Sequence, residues 1–318
     1  MRCCSPSAGS LASLSAIALM LVGCGGSSGS SSSGPAAGTP APTATATPTP
    51  TPTPTATGTA QVIFSDEFNG ASLDRTKWNV VGPDFWVNNE QQIYIDSTET
   101  ISLRQNSPGA DGGVLVLRPV FRPGTDTNTK RNADFVSGRI DSSQKFDFMH
   151  GRAEARIRMS DADGFWPAFW LLGYGDWPGS GEIDIMEYVG QKTWISSALH
   201  GPGYSGGNAL SARFNFPAGQ DVTGWHIYAV EWSADRIDFE VDGTVFYSLT
   251  KAQVEQRGEW RFDNRKYVIL NAALGGNYPN GVNAVTSPYF GLPQSTVDKV
   301  KAGQVEIEVD WVRIVREN

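Results

Sequence analysis

Between Gly181 and Val189 the chain reads Gly-Glu-Ile-Asp-Ile-Met-Glu-Tyr-Val, so Glu182, Asp184 and Glu187 are spaced by large apolar side chains. No other segment restricts the fold so tightly. Ile183, Ile185 and Val189 favour an extended backbone, and a period of two puts Glu182 and Asp184 on one face. Unbroken alternation would send Glu187 to the opposite face. A one-residue bulge near Ile185 or Met186 returns it to the side of Asp184. On a helix, Glu182 and Glu187 would lie about 140° apart and could not converge. The segment is therefore expected to be a bulged strand. A solvated face with scattered charges is the plain alternative, although such faces usually mix signs.

Three acids gathered on one sheet face repel one another, and a site can use that repulsion to separate their pKa values. Retaining glycoside hydrolysis needs two carboxyl groups about 5–5.5 Å apart, one ionised as nucleophile and one protonated as acid. Glutamates four effective strand steps apart have Cα atoms roughly 13 Å apart, a gap that long side chains leaning together can close. On this reading Glu182 attacks an anomeric carbon, Glu187 acts as acid and then as base, and Asp184 assists by hydrogen bonding. A metal site is the competing chemistry. Carboxylates alone suit calcium or magnesium, which usually draw on flexible loops with carbonyl ligands. His150, His200 and His226 all lie outside the run, so nothing within it suggests zinc.

The rest of the chain after residue 60 alternates in the same manner. Short stretches such as Gly113–Arg118, Gly151–Met159, Ile237–Val241 and Val305–Val315 are divided by glycine, proline and asparagine. Asp242-Gly243 between two such stretches signals a hairpin. Long amphipathic helical patterns are absent; Lys251–Arg257 suits one short helix or turn. Many strands at this spacing mean an all-β sandwich or barrel.

The first sixty residues are different. Met1–Gly23 carries one basic residue, Arg2, and then an apolar run too short to span a bilayer, which reads as an export signal. Leu21-Val22-Gly23-Cys24 resembles a lipobox, so residues 1–24 are read as a signal with lipid anchoring at Cys24; cleavage and secretion is the alternative. Residues 25–60 are serine, glycine, threonine, alanine and proline, including the Thr-Pro run from Thr47 to Pro54, and are read as a disordered linker. Residues 61–318 form the catalytic domain. All three cysteines precede that domain, which is thus expected to dispense with disulfides. The chain has 33 acidic against 25 basic residues, a net charge of -8. This balance disfavours nucleic acid and anionic membrane as partners and suits a neutral polymer. The chain is expected to be a monomer with no catalytic cofactor.

All ten tryptophans lie in the domain. Within Gly164-Phe-Trp-Pro-Ala-Phe-Trp170, Trp166 and Trp170 share one strand face and Phe169 takes the other. Exposed indoles beside paired carboxylates are expected to be platforms for the apolar faces of sugars. Trp78, Trp225, Trp232 and Trp311 are expected in the core; Trp86, Trp177 and Trp194 fit either role, and Trp177 is kept as a substrate-binding candidate. His200 is a candidate partner for the acid/base glutamate or for a sugar hydroxyl, with a purely structural role equally open. Asn271 is a candidate hydroxyl partner in the same cleft. His150 and His226 are read as structural.

These residues carry a resemblance. Glu182-Ile-Asp-Ile-Met-Glu187 with Trp166-Pro-Ala-Phe-Trp170 before it resembles glycoside hydrolase family sixteen, specifically its bacterial laminarinase-like endo-β-1,3-glucanases. Ser65-Asp-Glu-Phe-Asn-Gly70, Asn88-Asn-Glu-Gln91, Ser137-Gly-Arg-Ile140, Gly151-Arg-Ala-Glu154 and Val309-Asp-Trp-Val-Arg313 extend the likeness across the domain. The resemblance implies a concanavalin-like jelly-roll sandwich with a concave cleft. It implies retaining hydrolysis of β-1,3-glucan, with Glu182 as nucleophile, Glu187 as acid/base and Asp184 assisting. It adds Asn88 to the substrate-binding candidates and implies a structural calcium held by the carbonyls of Glu67 and Gly113 and the side chain of Asp310. Arg152 and Arg139 are open between sugar or sulfate binding and pairing with neighbouring acids; Arg152 is kept among the substrate-binding candidates. Relatives that cleave galactans have a similar acid cluster, and a non-catalytic glucan-binding protein on the same sandwich is the further alternative.

Overall fold

The computed structural model describes residues 60–127 and 131–316. Two antiparallel sheets lie face to face. In spatial order the first holds Leu210–Asn215, Trp194–His200, Glu182–Glu187, Phe165–Gly173, Lys266–Leu274, Arg139–Asp141 and Asn79–Val80. The second holds Thr244–Thr250, Arg236–Val241, His226–Trp232, Gly151–Met159, Ile307–Arg316, Val114–Leu117 and Ile101–Arg104, with Gln61–Asp66 also paired to Ile307–Arg316. A small third sheet joins Gln92–Tyr94, Asn132–Ser137 and Val120–Asp126. The expected all-β jelly-roll sandwich is the architecture of the domain.

Alternation explains the packing. Ala153, Ala155 and Ile157 of the second sheet meet Phe165, Phe169, Leu171, Ile183 and Ile185 of the first in one buried cluster. Burying each large side chain contributes about 1.5–3 kcal/mol. A register slip of one residue would turn those groups to water and drive the acids inward, so the register is fixed.

The strand Glu182–Glu187 carries the bulge. Along one edge Phe169 pairs with Met186 and Trp170 with Asp184, so Ile185 is skipped. Along the other edge Asp184 pairs with Ala198 and Glu187 with Ser196, three steps against two. Ile185 and Met186 are both buried, and Glu187 emerges on the face of Glu182 and Asp184.

The Asp242-Gly243 hairpin has positive φ at both positions, 51° and 75°, the conformation a tight two-residue connection needs. Lys251–Glu255 is a short helix closed by a capping box between Thr250 and Gln253. Two further helices, Asn277–Asn283 and Gln294–Lys301, were not expected from the sequence. The second buries Thr296, Val297 and Val300 along one side. Trp78, Trp232 and Trp311 are buried as expected. Trp225 is not in the core: it is half-buried, its N–H donates to the Pro108 carbonyl, and the guanidinium groups of Arg156 and Arg158 lie 5.0 and 4.8 Å from its ring. Among the described residues no helix is long and apolar enough to cross a membrane. The signal read over 1–24 and the linker read over 25–60 lie outside the described residues, Ala60 apart.

Candidate active site

Strand register arranges the open face of the first sheet in rows. One row holds His200, Glu182, Leu172 and Tyr267; the next holds Ala198, Asp184, Trp170, Ile269 and Asp141; the third holds Ser196, Glu187, Ala168, Asn271 and Arg139. Strands lie about 4.8 Å apart, so Asn271 and Arg139 are two and three strands from the acids. A polymer laid across the strands would pass all of them.

Each glutamate has its own indole donor. Trp177 Nε1 donates to Glu182 Oε2 at 2.9 Å, and Trp166 Nε1 donates to Glu187 Oε1 at 3.0 Å. His200 is drawn to the other side of the cluster. Its Nδ1 accepts the Gly206 N–H at 3.1 Å, so the neutral ring carries its proton on Nε2. That Nε2 lies 3.1 Å from Asp184 Oδ2 and 3.8 Å from Glu182 Oε1, close enough to attract both, though off the line of a good hydrogen bond to Asp184.

The electrostatics follow from crowding in a dry place. Burial pushes Glu182 up to about 8; Asp184 adds to the rise, while His200 and the Trp177 N–H oppose it. Burial raises Asp184 to about 7. Glu187 is pushed up to about 8 by burial, with the charges of Asp184 and Glu182 acting in the same direction. The three cannot all be ionised near neutrality. Negative charge settles first on Asp184, the carboxyl that titrates lowest of the three and the one 3.1 Å from His200 Nε2. The charge of Asp184 and Glu182 then raises Glu187 further and holds it in the protonated form. One carboxylate ready to attack and one ready to give a proton is the division that acid-assisted displacement requires.

The other expected residues divide. Trp166 is 9% exposed and packs edge-on against Tyr278; it is no open platform, because its ring is used to hold Glu187. Trp177 is 51% exposed, its ring 6.0 Å from that of His200, and offers the wider surface beside Glu182. Trp170 donates to Asn271 Oδ1 at 2.7 Å, so Asn271 steadies Trp170 from the neighbouring strand. Asn88 is exposed on a loop, with positive φ, and its carbonyl accepts the Asn277 N–H. Arg152 is a correction. It lies on the second sheet, bonded to Glu154, Glu231 and Glu240, because Ala153 and Ala155 take the inward positions of its strand. Ion pairing with neighbours is its role. Arg139 does face the cleft, between the rings of Phe85 and Trp170 at 4.1 and 4.8 Å.

Sequence reasoning missed Tyr278. Its hydroxyl is 2.9 Å from Ser196 Oγ, the residue paired with Glu187. The helix that carries it follows Gly275-Gly276 and has no apolar period to announce it.

Two sets of residues bear on metals. Glu182, Asp184 and His200 bring their ligand atoms within 4.8 Å of one another, but the ring nitrogen nearest the carboxylates, Nε2, is the protonated one and has no lone pair to offer a cation. At the calcium site implied by likeness, the donors are all oxygens, of the type calcium takes. Gly113 approaches the backbone so closely that a Cβ would lie 2.3 Å from the Phe68 carbonyl oxygen. Asp310 shares its carboxylate with Arg156 and the Asp111 N–H, and the Glu67 side chain is taken by Arg313, which leaves the Glu67 contribution to its carbonyl.

Residues 83–285 match the family model described as Glycosyl hydrolases family 16. The chain is 31% identical over 277 residues to glucan endo-1,3-beta-glucosidase A1 of Niallia circulans, covering 80% of this chain and 38% of that protein. It is 30% identical over 272 residues to a beta-glucanase of Rhodothermus marinus, covering 80% of this chain and 85% of that one. The laminarinase catalytic domain of Thermotoga maritima has the same fold, with a TM-score of 0.69 at 28% identity over 81% of this chain and 99% of that domain. The chain therefore spans well under half of the Niallia protein and nearly all of the Thermotoga domain. With fold, acid strand and sequence in agreement, the chain belongs to glycosyl hydrolases family 16.

Proposed function

We propose that this chain is a retaining endo-β-1,3-glucanase acting on laminarin- or curdlan-type glucan and on mixed-linkage β-1,3-1,4-glucan. The bulge in Glu182–Glu187 carries the reading, because it alone sets two glutamates on one face with an aspartate between them. Ionised Glu182 attacks the anomeric carbon while Glu187 protonates the leaving oxygen. Glu187, now a base, takes a proton from the water that releases the sugar from Glu182. Asp184 and His200 hold the charge on the Glu182 side of the cluster, and the Trp177 N–H fixes the direction of attack. Relatives named as glucanases, and a sheet whose register extends the site over several strands, support internal cleavage of a long chain.

Glu182→Gln is the direct test. It should remove turnover of laminarin by roughly 10⁴-fold or more while glucan binding persists; undiminished release of reducing ends would refute the assignment. Early products followed by NMR should retain the anomeric configuration. A panel of laminarin, curdlan, mixed-linkage glucan and agarose separates glucanase from galactanase.

Two narrower readings accompany this one. The leader supports export with lipidation at Cys24, and Cys24→Ala should then move the enzyme from the membrane fraction to the medium. The oxygen donors of Glu67, Gly113 and Asp310 support a structural calcium. Added calcium should raise the melting temperature, and EDTA should lower it, without changing kcat where the protein remains folded.

A further inference from the structure

Lys266 is completely buried, at the start of the strand Lys266–Leu274 and on the opposite side of the first sheet from the acids. Its ammonium is ringed by oxygens. The carbonyls of Ser180, Gly181 and Arg261 each lie 3.1 Å from Nζ, and Asn264 Oδ1 lies at 2.8 Å. The rings of Phe262 and Trp232 close the remaining space. A buried cation seldom adds net stability over an apolar side chain of similar size. This one makes hydrogen bonds that an apolar side chain could not.

Two of the four oxygens belong to the residues immediately before Glu182. The turn they form is packed to contact: Gly181 has φ 70°, and a Cβ there would lie 2.2 Å from the Arg261 carbonyl oxygen and 2.9 Å from Lys266 Nζ. Asn264 grips the same turn, its Nδ2 donating to the Ser180 carbonyl at 2.9 Å. Leading out of this turn in one direction is Glu182; in the other is the loop that carries Trp177, whose indole donates to Glu182. Both ends of that hydrogen bond are attached to the turn that the ammonium holds.

We propose that Lys266 is a positioning residue for Glu182, its buried ammonium fixing the Ser180–Gly181 turn so that the carboxylate and the Trp177 indole meet in the attacking geometry. The proposal rests on the reading of Glu182 as nucleophile. The titratable groups around Glu182 are Asp184 and Glu187 on its own strand, His200 on the next, and Tyr267 and Lys266 on the strand Lys266–Leu274. Of these, Lys266 and His200 are the basic ones. Burial lowers the Lys266 amine to about 7 and the Glu182 charge acts against that fall, so amine and carboxylate sense one another across the sheet.

The test compares Lys266→Met and Lys266→Arg with the native enzyme on laminarin across pH, with thermal unfolding measured alongside. For Lys266→Met, kcat should fall about tenfold, equivalent to a small misplacement of the nucleophile, with KM little changed. The acid limb of kcat/KM should move up by roughly half a pH unit, because Glu182 loses a neighbouring cation. Lys266→Arg should restore the limb. A folded Lys266→Met enzyme with native kcat and native acid limb overturns the proposal. Should Lys266→Met fail to fold, Asn264→Ala, which removes the side-chain brace between Lys266 and Ser180, decides it: a lowered kcat at native KM supports the proposal and a native kcat overturns it. The two readings fail separately. Turnover surviving in Glu182→Gln sinks the nucleophile assignment, whereas a native Lys266→Met profile in an enzyme that Glu182→Gln abolishes sinks only the role of Lys266.

Discussion

The open face of the first sheet and the outer face of the second are built by the same alternation, and both are rich in charge. On the second sheet the acids of the central ladder meet cations on their own or a neighbouring strand. Arg152 bonds Glu154, Glu231 and Glu240, Arg158 bonds Glu308, and Arg104 bonds Glu306 and Glu308. Burial works to raise Glu308, but Ser107, Arg158 and Arg104 outweigh it and hold the carboxyl below its ordinary value. On the first sheet, Glu182 and Asp184 share one histidine, Glu182 and Glu187 each have only a neutral indole donor, and all three carboxyls rise. Charge that is compensated across strands makes a scaffold. Like charge left uncompensated in a dry place makes a reagent.

The sharpest way to break this contrast is to exchange one charged group on each face. Glu187→Gln should lower kcat on laminarin by roughly 10²–10⁴-fold, the range for losing a general acid. An activated aryl β-glucoside of the same specificity, whose leaving group needs no proton, should suffer far less in the first step. Equal losses on both substrates would mean that Glu187 is not the acid. Arg152→Met should do the reverse. It removes the guanidinium that Glu154, Glu231 and Glu240 share on the outer face, so unfolding in urea should show a loss of roughly 1–3 kcal/mol, while kcat/KM on laminarin stays within about twofold. A fall in activity at unchanged stability would return Arg152 to the substrate.

The same contrast explains what the sequence could and could not disclose. The acid strand was legible because a strand, a helix and a bulge make different demands on Glu182, Asp184 and Glu187, and only one satisfies all three. The Asp242-Gly243 hairpin was legible because a tight turn selects its residues locally. Arg152 was misplaced because Gly151–Met159 alternates as well as any cleft strand, and alternation does not say which sheet a strand joins. Trp166 was expected in the open because its spacing gives its face but not the Tyr278 ring that covers it. Tyr278, Lys266 and Trp225 act through partners more than thirty residues away in sequence, Ser196, Ser180 and Pro108. Such pairings arise only when the sheets assemble.

A subtler consequence concerns stability rather than rate. In the unfolded chain Glu182, Asp184 and Glu187 titrate near pH 4; in the folded protein they titrate at about 8, 7 and 8. Across that window the folded state holds more protons, so stability falls as pH rises. The contribution is fully present below the unfolded values and is lost as pH passes through about 7 to 8. Glu308, lowered in the folded state, acts oppositely: its contribution is present above the ordinary carboxylate range and lost on acidification. Glu182→Gln removes one member of the crowded set, so its melting temperature should exceed the native value by a few degrees at pH 8 and differ little at pH 5. Calorimetry at the two pH values decides the matter. A Glu182→Gln protein that melts lower than the native enzyme at pH 8 would show that the first sheet compensates its acids after all, and the distinction between the two faces would fall.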